Sequence, residues 1–194
     1  MRGLLVGLLL LPAGGAAAQC FDLRAVVAAP LREPPAGRSA DGATQDGRVW
    51  ASLVAELHRP ITDVLRLLRD PARTPDPSVD ELQVEALPPG PHLSYLRLRS
   101  VVRPFPLITV EWTEELAIDL LAGSAAAPEV VLISYQKTEG TSHIAHLCGS
   151  TLLTRLEPGR TRIYQYEESK ITGRDRRDQA TALANFLELL RAKL

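Results

Sequence analysis

The sequence carries no excess of either charge. Its 22 basic residues stand against 23 acidic ones, so it lacks the basic stripe of a nucleic-acid binder, and no nucleic-acid partner is expected. It has no Gly-rich phosphate loop, no nucleophile elbow and no zinc-protease helix. That removes the sequence signatures of the common nucleotide-dependent, serine-hydrolase and metalloprotease chemistries. No internal repeat is present. After the first dozen residues no apolar run approaches the roughly 20 residues a spanning helix needs, so no permanent membrane span is expected. Lysine occurs only at 137, 170 and 193, against abundant Arg, Ala, Pro and Leu. That bias points to a GC-rich, bacterial genome and says nothing of function.

The N-terminus is rich in what the rest lacks. Arg2 is followed by the apolar stretch Gly3 to Leu11, the breakers Pro12, Gly14 and Gly15, and the small residues Ala16-Ala17-Ala18. This tripartite layout predicts a cleavable signal over residues 1–18 and export to the periplasm or the extracellular space. Cys20 raises lipoprotein acylation as an alternative, but Gln19 before it is larger than such a signal prefers. Residues 19–46 are rich in Ala, Pro, Gly and Arg and read as an irregular leader. Within it, Phe21 to Ala29 is apolar enough to dock, as a short helix. Residues 47–194 then form one domain. The chain has two cysteines, Cys20 and Cys148. In an oxidising compartment they form a candidate disulfide. The alternative for Cys148 is a buried, inert thiol.

Arg48 to Leu57 alternates as a strand, and Ile61, Val64, Leu65 and Leu68 follow Pro60 at helical spacing. Strands are predicted over Asp80 to Leu87, Leu93 to Val102, Leu107 to Trp112, Glu129 to Thr138, Ser142 to Leu156 and Thr161 to Lys170, joined by short turns as an antiparallel meander. Glu114 to Leu121 reads equally as more strand or as a short helix. Ala180, Leu183, Ala184 and Leu187 place an amphipathic helix over Arg174 to Leu194. The cheapest cover for its apolar stripe is the concave side of the sheet.

This order resembles the START-like or SRPBCC superfamily, the helix-grip fold. The opening strand running through Pro60 into its helix carries the likeness, with "LITVEWTEE", "VVLISYQKTEG", "LEPGRTRIYQYEE" and the closing helix. One departure is a single opening helix where many members have two. The resemblance implies an α+β domain whose curved antiparallel sheet grips the C-terminal helix and leaves a cavity between them. Members often bind lipids, sterols or other apolar molecules there, and a minority are enzymes. No catalytic set carries over.

The expected ligand-binding residues are Trp112, Tyr135, Lys137, His146, Tyr164 and Tyr166, because amphipathic rings and a few polar groups suit a cavity that orients an apolar guest. His143, His146 and Cys148 form an H-x-x-H-x-C run, but alternation leaves only His146 and Cys148 on one face, too few ligands for zinc. No metal and no cofactor are expected. Glu111, Glu114 and Glu115 read mainly as solvated strand charges, with an acid-base role open only to a buried one. Lys137 to Thr141 reads as a hairpin. The run Arg174 to Asp178 reads as a solvated helix start. The leading expectation is a module that binds an apolar, lipid-like or amphipathic small molecule. The alternatives are an enzyme of the same fold using Glu111, His146 or Tyr135, and an interaction protein with a filled interior.

Overall fold

The computed structural model describes residues 39–73 and 78–194. Eight strands form one antiparallel sheet: β1 (Ser39–Ala43), β2 (Val49–Leu57), β3 (Glu81–Ala86), β4 (Ser94–Phe105), β5 (Ile108–Gly123), β6 (Pro128–Gly140), β7 (Ile144–Glu157) and β8 (Arg160–Ile171). Their spatial order is β1-β2-β8-β7-β6-β5-β4-β3. The helix α1 (Ile61–Leu68) follows β2, and the chain then crosses to the far edge before starting the meander. The last strand returns to pair with β2, and α2 (Arg176–Lys193) closes the chain. This is the expected α+β helix grip.

Local chemistry explains the helices. Pro60 precedes α1 and its carbonyl accepts from the Asp63 and Val64 amides at 3.0 and 3.3 Å. Ile61, Val64, Leu65 and Leu68 form its buried stripe. Asp70-Pro71 then stops it, and only a 3-10 turn, Pro71–Arg73, follows. At α2, the Asp175 carboxylate accepts from the Arg177 and Asp178 amides at 2.7 and 3.0 Å, while Asp178 accepts from the Asp175 amide at 3.0 Å. This reciprocal cap fixes the start of the helix.

The concave face holds the main core. Ala55, Leu57, Ile118, Val131, Ile133, Leu153 and Ile163 from the sheet meet Ile61, Val64, Leu65 and Leu68 from α1 and Leu187 and Leu190 from α2. Burying each large aliphatic side chain contributes about 1.5–3 kcal/mol, which is what holds the terminal helix on the strands.

Two expectations change. Residues 39–43 sit in the stretch read as irregular leader, yet they form edge strand β1, paired from Ser39↔Leu53 to Ala43↔Val49. The sequence Ser-Ala-Asp-Gly-Ala has no apolar alternation, because an edge strand of this kind is held by backbone bonds. Glu114 to Leu121 is strand, part of the 16-residue β5. Register shifts at Thr113/Glu114 and near Ala122 bend it, as bulges do. The signal segment and most of the leader lie outside the described residues. Among the described residues no helix is long and apolar enough to cross a membrane.

Candidate functional site

The apolar core fills the concave face near α1 and stops short of the opposite end. There, on the same face, strand alternation brings in polar residues. Glu114 follows Leu116 and Ile118 on β5, Tyr135 follows Val131 and Ile133 on β6, and Gln165, Glu167 and Ser169 follow Ile163 on β8. Helix α2 adds Gln179 from the stripe that continues through Leu183, Leu187 and Leu190.

Glu167 is the hub. Its carboxylate accepts from the Tyr135 hydroxyl and, at 2.5 Å, from the Gln179 amide, and the Arg174 guanidinium lies 3.8 Å away. The Gln179 carbonyl accepts from the Ser169 hydroxyl at 2.7 Å and from Arg174 at 3.2 Å. Burial and the Glu167 charge push the Tyr135 hydroxyl well above its ordinary value. Arg174, read from sequence as part of a solvated helix start, thus turns inward, while Arg176 faces Asp41 at 3.5 Å.

Glu114 is the unusual member. Burial, and secondarily the nearby Glu167 charge, raise its carboxyl to about 7. Among the described residues no cation pairs with it. Lys137 is directly across the ladder, yet it forms no ion pair with Glu114. The Trp112 indole N–H approaches the Glu114 carboxylate and opposes that rise as a donor, although the contact falls outside good hydrogen-bond geometry. The buried side-chain oxygen of Gln165, two residues before Glu167 on β8, has no partner. Glu114, Tyr135, Glu167 and Arg174 are half-buried; the Glu167 and Arg174 side chains are 17% and 29% exposed. Solvent thus reaches this polar end of the concave face, here termed the recess.

Gly149 makes room for it. A Cβ at this position would lie 2.3 Å from the Tyr135 hydroxyl oxygen. Gly149→Ala is therefore expected to push the phenol aside, break its bond to Glu167 and cost about 1–3 kcal/mol. Comparing urea midpoints in the Tyr135→Ala background checks this: there the hydroxyl and the ring carbon 2.4 Å from the added Cβ are both gone, so the alanine should cost less, with only the Tyr166 carbonyl oxygen at 2.8 Å left to meet it.

The six expected ligand residues divide. Trp112, Tyr135 and Lys137 stand on the concave side at the recess. His146, Tyr164 and Tyr166 stand on the convex side: Tyr164 and Tyr166 pack on Leu132 and Leu152, and Tyr166 stacks on Trp50 with ring centroids 6.2 Å apart. Of the three acid-base candidates only Tyr135 is inside, because Glu111 pairs with Arg99 at 2.8 Å on an exposed edge and His146 is on the outer face. His143 is exposed.

The sequence shows two metal-type ligands on the outer face, and the fold adds Glu168 to His146 and Cys148, with donor atoms within 4.8 Å of one another. These groups are already engaged. Glu168 takes Arg48 at 2.6 Å and His146 at 3.0 Å. Cys148 is disulfide-bonded, so it offers no thiolate. Cys20, the expected partner, lies outside the described residues.

An open groove of about 250 Å³ lies beside α1, lined by Leu65, Arg66, Arg69 and Pro128 among others. Tyr135 is seven residues along β6 from Pro128, about 23 Å away, so the groove is remote from the recess and gathers no perturbed group.

Sequence reasoning missed Glu167, Gln179 and Gly149. The legible signal was Gln179, a polar residue in the apolar stripe of α2, and Glu167, which shares parity with Ile163.

The architecture is that of the START-like or SRPBCC proteins, a sheet wrapped around its terminal helix. It is similar to a STAR-related lipid transfer protein (fragment 25-204) from Xanthomonas axonopodis, with a TM-score of 0.57 and 13% identity over 84% of this chain and 95% of the other. A protein from Thermus thermophilus aligns with a TM-score of 0.55 and 17% identity, over 73% and 94%. The human StarD13 lipid transfer and protein localization domain aligns with a TM-score of 0.54 and 8% identity, over 81% and 87%. No family model matches the chain, and no curated protein does. At these identities the likeness is one of fold.

Proposed function

We propose that this is an exported START-like domain that binds a small amphipathic molecule in the recess between the sheet and α2. The guest's polar end meets Glu114, Tyr135, Glu167 and Arg174, and its apolar part lies towards Leu116 and Ile118. One observation carries the reading: a carboxyl at Glu114 that no cation neutralises, beside Tyr135 and within reach of the Glu167 charge, in a fold whose solved examples include lipid transfer proteins. Such a site costs stability when empty, and a guest that donates hydrogen bonds offsets that cost. With two carboxylates and one arginine around it, the site prefers a donor or cationic head to an anionic one. Export is supported by the tripartite N-terminal sequence and by the disulfide at Cys148, a bond that persists in oxidising compartments.

Titration with dodecylamine, dodecanol and dodecanoate, followed by intrinsic fluorescence and native mass spectrometry, tests the proposal. Amine or alcohol should bind at least about tenfold tighter than the carboxylate, a gap of about 1.4 kcal/mol, and Glu114→Gln should narrow the gap. Equal and weak binding of all three, with no co-purified molecule, would reject it. A second reading rests on the same carboxyl. A group titrating near 7 is poised as a general acid or base at neutral pH, so Glu114 beside Tyr135 is where an enzyme of this fold would act.

A further inference from the structure

The convex face of the sheet is covered, and none of the described elements covers it. A sheet packed on one side alternates buried and exposed residues along each strand. Here Leu147 to Leu153 on β7 are buried without a break, as are Val131 to Ile133 on β6. Leu153, Val131 and Ile133 face the helices. Their neighbours face the other way, yet Leu132 is 2% exposed, Leu152 4%, Val54 4% and Cys148 0%. The ladders align Val54, Tyr164, Leu152 and Leu132 as one row across β2, β8, β7 and β6. Both helices pack on the concave side.

We propose that the segment from Cys20 to Ala29 docks on this convex face, covering the Val54–Tyr164–Leu152–Leu132 row and held at its start by a disulfide from Cys20 to Cys148. Cys148 is disulfide-bonded, and the chain has one other cysteine. Cys148 lies four residues along β7 from Leu152, about 13 Å. The nine residues Phe21 to Ala29 span about 13 Å as a helix, which matches the distance from the anchor to the row. The next described residue is Ser39, paired with Leu53 beside Val54. The chain therefore has to leave the patch at that end, and residues 30–38 reach about 30 Å, ample to round the sheet edge. The segment is a strap: it makes an otherwise exposed apolar face part of the core, and it ties that core to the redox state of one bond.

Peptide mapping without reduction, together with Leu23→Asp/Val27→Asp in the full chain, tests this. Positions 23 and 27 share a face whether the segment is helical or extended. The map should give a Cys20–Cys148 peptide. The double variant should lower Tm by about 5 °C or more and raise binding of an apolar-surface dye severalfold. Reduction of the wild type should move both readouts the same way by less. A free Cys20 thiol, or a double variant with unchanged Tm and dye binding, would overturn the proposal. So would light scattering that finds a dimer which Leu152→Arg dissociates, because a second copy would then be the cover.

Discussion

Glu114→Gln stabilises the protein by roughly 2–3 kcal/mol at pH 8 and changes it little at pH 4. The carboxyl sits at about 7 in the fold against an ordinary value of 4.5. A raised acid favours the folded state while it is protonated. That contribution is fully present below pH 4.5 and is lost as pH rises through 7. Each tenfold change in proton affinity corresponds to about 1.4 kcal/mol, and partial water access in the recess trims the total. Other carboxylates act in the opposite sense: hydrogen bonds lower Asp46, Glu115 and Asp175. The readout is therefore the difference between variant and wild type across urea unfolding curves from pH 4 to 8. Curves that stay parallel over that range would mean Glu114 is solvated and the recess has no buried charge. A guest that donates to Glu114 should shrink the difference in proportion to its occupancy.

Leu190→Ala costs about 3–4 kcal/mol, within the range for a fully buried leucine. Leu190 is 0% exposed and packs with Leu187 against the sheet and α1. The leucine is a clamp between elements far apart in sequence, so its loss loosens the grip rather than one strand. Thermal and urea unfolding check the magnitude. A loss below about 1 kcal/mol would show that α2 contributes little to holding the sheet. The variant separates stability from binding, since Leu190 lies eleven residues, about 16 Å, along α2 from Gln179, the residue that α2 gives to the polar cluster: dodecylamine affinity should change little where the protein remains folded.

Periodicity carried the fold. The opening strand, the Pro60-led helix, the meander and the closing helix were all legible, because each buries one face and its residue spacing states which. Edge strand β1 was not, because Ser39 to Ala43 has no apolar alternation and is held mainly by backbone pairing with β2. Alternation also told that His146 and Cys148 share a face and that Tyr164 and Tyr166 share a face. It did not tell which face. Parity is relative within a strand, and only pairing across strands assigns the sides, placing Tyr135 by the recess and Tyr164 behind it. Glu167, Gln179 and Arg174 come from β8, α2 and the turn between them, and Glu114 from β5, so no local motif could announce them.

The chain by itself determined which residues alternate, where helices start and stop, and that one apolar stripe had to be gripped. Tertiary structure alone decided that Glu114 is buried beside Glu167 and that Gly149 yields space to Tyr135. It also decided that both faces of β7 are covered. The reason is physical: burial, and the shift it forces on a carboxyl, depend on what stands within a few ångströms in space, and here those neighbours are separated by tens of residues along the chain.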